Sequence, residues 1–310
     1  MTWVLPVLKR VGALLIVFVG VTFLIYALVF ALPGDPIKAL GGDRPLPDSV
    51  VAVLRAKYHL DQPLIVQYLE WVGGLFRGDL GLDFHGRPVA DQLAARWPVT
   101  FTLALTAWVI ELVLGLGLGL IAAIRRGTAV DQGILTVTIL IGAIPVFVVG
   151  STAQLVFGVR LGWFPVAGTT QGWPTAYILP ALVIAIFGLG AVARLMRNAS
   201  VDALGSDFVR LVRAKGVGEG RVIGVHVVRN SLIPAATYLA TDLGYLLGGA
   251  VIIEGIFNMP GIGNLLFNAI RAHEGPTVVG VSSLLILVFL ILSLLVDLLH
   301  VALDPRLRRV

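Results

Sequence analysis

Cysteine is absent from all 310 residues, which excludes disulfides, thiolate nucleophiles and cysteine-based zinc or iron–sulfur sites. Charge is scarce: 13% of positions are Asp, Glu, Lys or Arg against 57% hydrophobic, far from the balance of a soluble domain. The nucleotide-loop pattern G-x-x-x-x-G-K-[ST] occurs nowhere. The glycines Gly216, Gly218 and Gly220 in RAKGVGEGR are therefore not arranged to hold a phosphate. No H-E-x-x-H pair or G-x-S-x-G elbow is present, and His59, His85, His226, His273 and His300 lie far apart. Metal-centred and hydrolytic chemistry thus have no local motif. The net charge of +5 could suit nucleic acid, but the cations do not cluster on a soluble domain, so no nucleic-acid partner is expected.

Long apolar runs fill the space that charge leaves. A helix needs ~20 apolar residues to cross a hydrocarbon layer ~30 Å thick. Six runs qualify, from about Val11 to Leu32, Val99 to Ile124, Gly133 to Val159, Thr175 to Ala193, Leu232 to Phe257 and Thr277 to Leu303. The first is too long for a signal peptide and five more follow, so it reads as a retained span. An all-α polytopic membrane protein with six transmembrane helices is the expectation. With the N-terminus inside, the inner segments carry fourteen Lys and Arg, whereas the short outer loops carry only Arg160 and Arg271. Basic residues resist translocation, which places both termini in the cytoplasm. Gly115, Gly117 and Gly119 lie within a span and read as small residues for close helix packing.

Two non-spanning segments stand out. Residues 33–98, after a first section of 1–32, form an outer insertion with seven basic and eight acidic residues. Within it, helices are expected from Asp48 to Tyr58 and from Pro63 to Phe76, the second with Pro63 in its first turn. The five-helix core of residues 99–303 contains an inner loop at 197–234, before a tail at 304–310. This basic loop carries a short helix signal. Ser206 can cap it, Asp207 suits its N-terminus, Arg213 and Lys215 suit its C-terminus, and Gly216 can close it. Phe208, Leu211, Val212 and Lys215 fall on one face. A helix of about ten residues is marginal alone and must dock on this chain's own loops, the membrane surface or another subunit.

Four carboxylates sit inside spans: Glu111, Asp242, Glu254 and Asp297. A charge there costs ~2.5 to 3.5 kcal/mol on insertion scales, so each either lines an aqueous pathway or locks two helices through a hydrogen bond. Glu254 borders the break FNMPGIG, making Phe257, Asn258 and Pro260 further candidates for a pathway or gate. Proton carriage by these carboxylates, as in a secondary transporter, is the alternative from another class.

The stretch SDFVRLVRAKGVGEGRVIGVHVVRNSLIP resembles the coupling loop, or EAA loop, of ABC importer permeases of the dipeptide, oligopeptide and nickel family. LPGDP at 32 to 36, LDQPLIVQYLEWVGGLFRGDLG at 60 to 81, LGWFPVAG at 161 to 168, RLMRNAS at 194 to 200, EGIFNMPGIG at 254 to 263 and LDPRLR at 303 to 308 follow in the expected order. The departures are Arg210, Leu211 and Val212 in place of Glu-Ala-Ala, and His273, Glu274, Gly275 and Pro276 in place of an Arg-Asp-aromatic-Pro run.

The resemblance implies a type I ABC importer permease fold in a bacterial inner membrane, of the branch that carries the long outer insertion. It implies a second homologous permease, cytoplasmic ATPase subunits that bind ATP and Mg, an extracytoplasmic peptide-binding protein and surrounding lipid as partners. This chain would itself bind no cofactor or metal and have no catalytic residue. The coupling set is then Ser206, Asp207, Phe208, Val209, Arg210, Leu211, Val212, Arg213, Ala214, Lys215 and Gly216, joined by Arg229, Asn230 and Pro234. Pro234 would start the next span and mark the joint where loop motion becomes helix motion. Short peptides are the expected substrate, with glutathione or nickel complexes as alternatives in the same family.

Overall fold

The computed structural model describes residues 4–31, 37, 47–58 and 60–303, and side chains within these up to residue 296, beginning at Arg10. LPGDP at 32 to 36, the C-terminal tail and the side chain of Asp297 lie outside that description. The chain divides into two compact units: residues 1–100 with 260–294, and residues 101–259 with 295–310.

The first unit opens with α1 (Val4–Phe30), apolar around its circumference as a membrane helix is. α2 (Asp48–Lys57) and α3 (Leu64–Leu75) follow within a residue or two of the expected bounds. Pro47 and Pro63 stand just before them in extended backbone, and their carbonyls accept the first helical bonds, so Pro63 precedes the helix and Leu64 begins it. The N-terminal part of α4 (Val89–Ile124) belongs here, with α10 (Ile262–Arg271) and most of α11 (Gly275–Leu303). Tyr26, Tyr68 and Val279 form one buried cluster, flanked by Phe30, Leu64 and Trp71. Val89, Leu93, Ile262, Leu265 and Val281 form another.

A polar knot precedes α4. Asp83 Oδ1 accepts the backbone N–H groups of His85 (2.9 Å) and Arg87 (2.8 Å), while Oδ2 accepts Arg87 Nε (2.7 Å) and Gln92 Nε2 (3.0 Å). Glu274, in the turn between α10 and α11, accepts the Phe84 N–H at 3.0 Å and faces His85 Nδ1 at 2.7 Å. The family-divergent Glu274 therefore has a local structural partner.

The second unit holds the rest of α4 with α5 (Ala129–Gly142), α6 (Val146–Arg160), α7 (Thr175–Gly205), α8 (Asp207–Ala214) and α9 (Glu219–Ile256). α7 is its centre. Val192 and Met196 of α7 pack with Ala235 and Leu239 of α9. A methyl group on Gly115 would lie 2.7 Å from Val192, and one on Gly119 would lie 2.5 Å from the Ala193 carbonyl. Gly117 meets nothing within 4 Å, as expected two residues away on a helix. Close packing thus holds for the outer two glycines of that run.

Among the described residues, five helices are long and apolar enough to cross a membrane, and a sixth crossing arises if α5 and α6 count together. The expected span from Gly133 to Val159 is bent: the axes of α5 and α6 differ by 99°. The break falls at Ala143, Ile144 and Pro145, where proline lacks the N–H that a continuing helix needs and disfavours the helical conformation at the residue before it.

Candidate functional site

The loop helix α8 forms where the charge pattern places it, but ends at Ala214, slightly sooner than expected. Gly216 stops it, with a left-handed φ of 77° and its N–H on the Arg213 carbonyl at 2.9 Å. Ser206 does not cap. Its hydroxyl donates backwards to the Ala203 carbonyl at the end of α7, leaving the capping expectation unfulfilled. Asp207 instead meets Arg210 at 3.3 Å across one turn.

The two sides of α8 separate the apolar residues that sequence periodicity had grouped. Val209 is fully buried with Ala203, Val222 and Val227, and Val212 packs against the same cluster. Burying a valine contributes about 1.5–3 kcal/mol, enough to hold a helix that could not persist alone. Phe208 and Leu211 point away and remain 41% and 58% exposed, beside exposed Arg210, Ala214 and Lys215. Val212 thus belongs to the inner face. Arg213 pairs with Glu219 through two guanidinium nitrogens, Nη2 and Nε, the latter at 3.1 Å, closing the turn around Gly216.

α9 begins at Glu219 and continues unbroken through a wider π turn at Val222–Val227. Pro234 therefore lies inside a continuous helix and does not begin it. The π turn is the irregular element at the base of α9, and such turns mark positions where a helix can change register. The Ser231 hydroxyl donates to the Val227 carbonyl at 2.9 Å and Asn230 Nδ2 to the His226 carbonyl at 2.7 Å. Arg229 is exposed on the same stretch.

Asp131 and Arg197 supply a link that sequence reading missed. Arg197 Nε and Nη2 donate to the two Asp131 oxygens at 2.6 and 2.7 Å, and Gly127 N–H adds a third bond at 2.9 Å. This bidentate pair ties the first turn of α5 to the end of α7 just above the loop. Asp131 in a first helical turn and Arg197 in RLMRNAS were visible separately, but their spacing in sequence concealed the pairing.

Deeper in the unit, Glu111 is fully buried and faces Asp242, with neither Glu111 oxygen meeting a protein donor. Asp242 is within reach of the Tyr238 hydroxyl and lines a groove of about 360 Å³ with Pro234, Thr237, Thr241 and Tyr245. Glu254 is also buried, with Tyr177 nearby, but the structure does not group it with that pair.

The FNMPGIG break is a helix stop. Asn258 adopts φ 45°, and Met259 N–H bonds back to the Glu254 carbonyl at 2.9 Å, a Schellman closure with asparagine in the usual glycine position. Phe257 is buried and its carbonyl accepts Gly168 N–H at 2.9 Å, while Gln154 Nε2 holds the Ile256 carbonyl at 2.9 Å. Pro260 is exposed immediately beyond.

Residues 115–309 match the family described as binding-protein-dependent transport system inner membrane component, and residues 4–104 match its N-terminal membrane-component family. A Brucella abortus protein named as a peptide transport system permease is 38% identical over 309 residues, covering 97% of this chain and 98% of its own length. The glutathione transport system permease protein GsiC of Escherichia coli is 36% identical over 304 residues, with the same coverage. With α-helical spans throughout and matches at both ends, the chain belongs to the binding-protein-dependent, ABC-importer permeases, multi-pass components of the bacterial inner membrane that work in a complex with other transporter subunits.

Proposed function

We propose that this chain forms the translocation pathway for short peptides together with a second homologous permease. An extracytoplasmic binding protein delivers substrate, and cytoplasmic ATPases, which hold ATP and Mg, drive the cycle. The fourteen inner Lys and Arg support cytoplasmic termini and a cytoplasmic loop at 197–234. Short peptides are favoured because the relatives carry peptide and glutathione transport in their names, and glutathione is itself a small peptide.

The carrying observation is the two-sided α8. Val209 and Val212 anchor the helix to its own loop, leaving Phe208 and Leu211 free to enter an apolar groove on an ATPase. Movement of that groove displaces α8, and the Arg213–Glu219 clasp passes the displacement to the base of α9. Asp242, Glu254, Phe257, Asn258, Pro260 and Asp297 are candidates for the pathway and its gate, with Asp242 and its groove the best placed of those described.

Replacing both Phe208 and Leu211 by Asp tests the coupling. The variant is expected to insert and assemble normally but lose substrate-dependent import. Import at the parental rate in proteoliposomes would exclude α8 as the coupling element, and loss of assembly would show that these residues hold the complex together.

A further inference from the structure

We propose that α3 is embedded in the outer half of the bilayer, with Ile65, Leu69 and Phe76 against lipid acyl chains, although it belongs to a segment whose balanced charge suggests an aqueous domain. The depth comes from its bonds to α1. Tyr68 Oη lies 3.0 Å from the Val19 carbonyl and 2.9 Å from Thr22 Oγ1, and its ring meets Phe23 edge-on at 5.1 Å. Val19 and Thr22 lie near the middle of the apolar part of α1, Arg10–Phe30. At ~1.5 Å per residue, Val19 is about 16 Å along the axis from Phe30, comparable with half of a ~30 Å hydrocarbon layer.

The Tyr68 hydroxyl is also satisfied as that depth requires. A tyrosine hydroxyl in hydrocarbon must find partners within the protein, and Tyr68 finds two on α1. Gln67 is likewise engaged, its Nε2 donating to the Gln62 carbonyl at 2.7 Å.

The remaining circumference of α3 divides by polarity. Leu64, Tyr68 and Trp71 face the buried cluster with Tyr26 and Val279. About a third of a turn away, a stripe of Ile65, Leu69 and Phe76 is 63%, 62% and 82% exposed. Glu70 and Arg77 occupy the opposite arc with Gln67. An amphipathic helix with a large uncovered apolar stripe is stable in water only if something covers it. α1 presents Leu24 and Leu28, 59% and 51% exposed, along the same stretch where α3 is bonded, so one lipid layer continues across both helices. A soluble binding protein does not reach that depth.

The absence of cysteine makes the test direct. Nitroxide labels on Ile65→Cys and Leu69→Cys, in the full chain reconstituted into phospholipid bilayers with the subunits it purifies with, are compared for collision with oxygen and with a water-soluble nickel chelate. Leu24→Cys gives the lipid standard and Arg125→Cys, exposed in the turn before α5, the aqueous one. The oxygen-to-nickel ratio at 65 and 69 is expected to match the Leu24→Cys value and to differ from the Arg125→Cys value. A ratio at the aqueous standard, or labels inaccessible to both agents because a protein partner covers them, would overturn the proposal. Photolabelling of the unsubstituted complex with a diazirine phospholipid provides a second measurement, in which carbene adducts are expected on residues 64–76. Adducts on α1 without any on α3 would count equally against it.

Discussion

Gly188 of α7 has no room for a methyl group: a β-carbon there would lie 2.1 Å from Glu111 Oε1 and 2.6 Å from Oε2. The glycine lets a buried carboxyl cross close to the helix backbone and reach Asp242. Gly188→Ala should cost about 1–3 kcal/mol through overpacking. In the double variant with Glu111→Ser the two losses should be less than additive, because the clash is gone. Thermal unfolding of the four purified proteins in detergent measures the coupling, and strict additivity would separate the two residues. Glu111 and Asp242 were legible as costly intramembrane acids, but their meeting was not, since more than a hundred positions separate them. The requirement for glycine at 188 had no sequence signal at all within GLGAVARL, where small residues abound.

Among the helices, α2 and α3 could be read closely because Asp48 and the prolines at 47 and 63 punctuate their starts. α8 was legible in position and not in orientation. Heptad-like spacing presents Phe208, Leu211 and Val212 as one stripe, and only contact with Val222 and Val227, on the π turn that follows, assigns the valines inward. Hydropathy likewise missed the corner between α5 and α6, because the residues on either side of it are apolar and the scale is blind to direction. The knot at residues 83–87 lends itself to titration. Burial pushes the Asp83 carboxyl up, but the Arg87 N–H, the Arg87 guanidinium and the Gln92 amide outweigh it and hold its pKa below the usual value. A depressed folded pKa contributes stability above the unfolded value, ~4, which is lost as pH falls through that value towards the lower folded one. The thermal midpoint should therefore fall over this acid range. Asp83→Asn should lower it at neutral pH and reduce the fall, and an unchanged pH profile would remove Asp83 from the account.

For the whole molecule, the family could be recognised from ordered motifs spread along nearly the entire chain, and the matches at residues 4–104 and 115–309 agree with it. Energy coupling can be checked at this scale. The reconstituted complex should import a labelled short peptide with ATP inside and no proton gradient, and the isolated chain should hydrolyse no ATP. Import that survives ATP depletion but collapses with the proton gradient would replace the ATPase-driven reading with a carboxylate-based one. The 99° corner has a further consequence for such an assembly. Gly142, Ala143, Ile144 and Pro145 are all exposed on the chain's own surface, and a helix end leaves carbonyl groups without helical partners. Hydrocarbon does not tolerate irregular backbone of that kind, so the corner must meet water or another polypeptide. Where α5 and α6 make one crossing, the subunit alone is unfinished as a membrane object, and that crossing suits the bilayer only with water or another polypeptide at its corner.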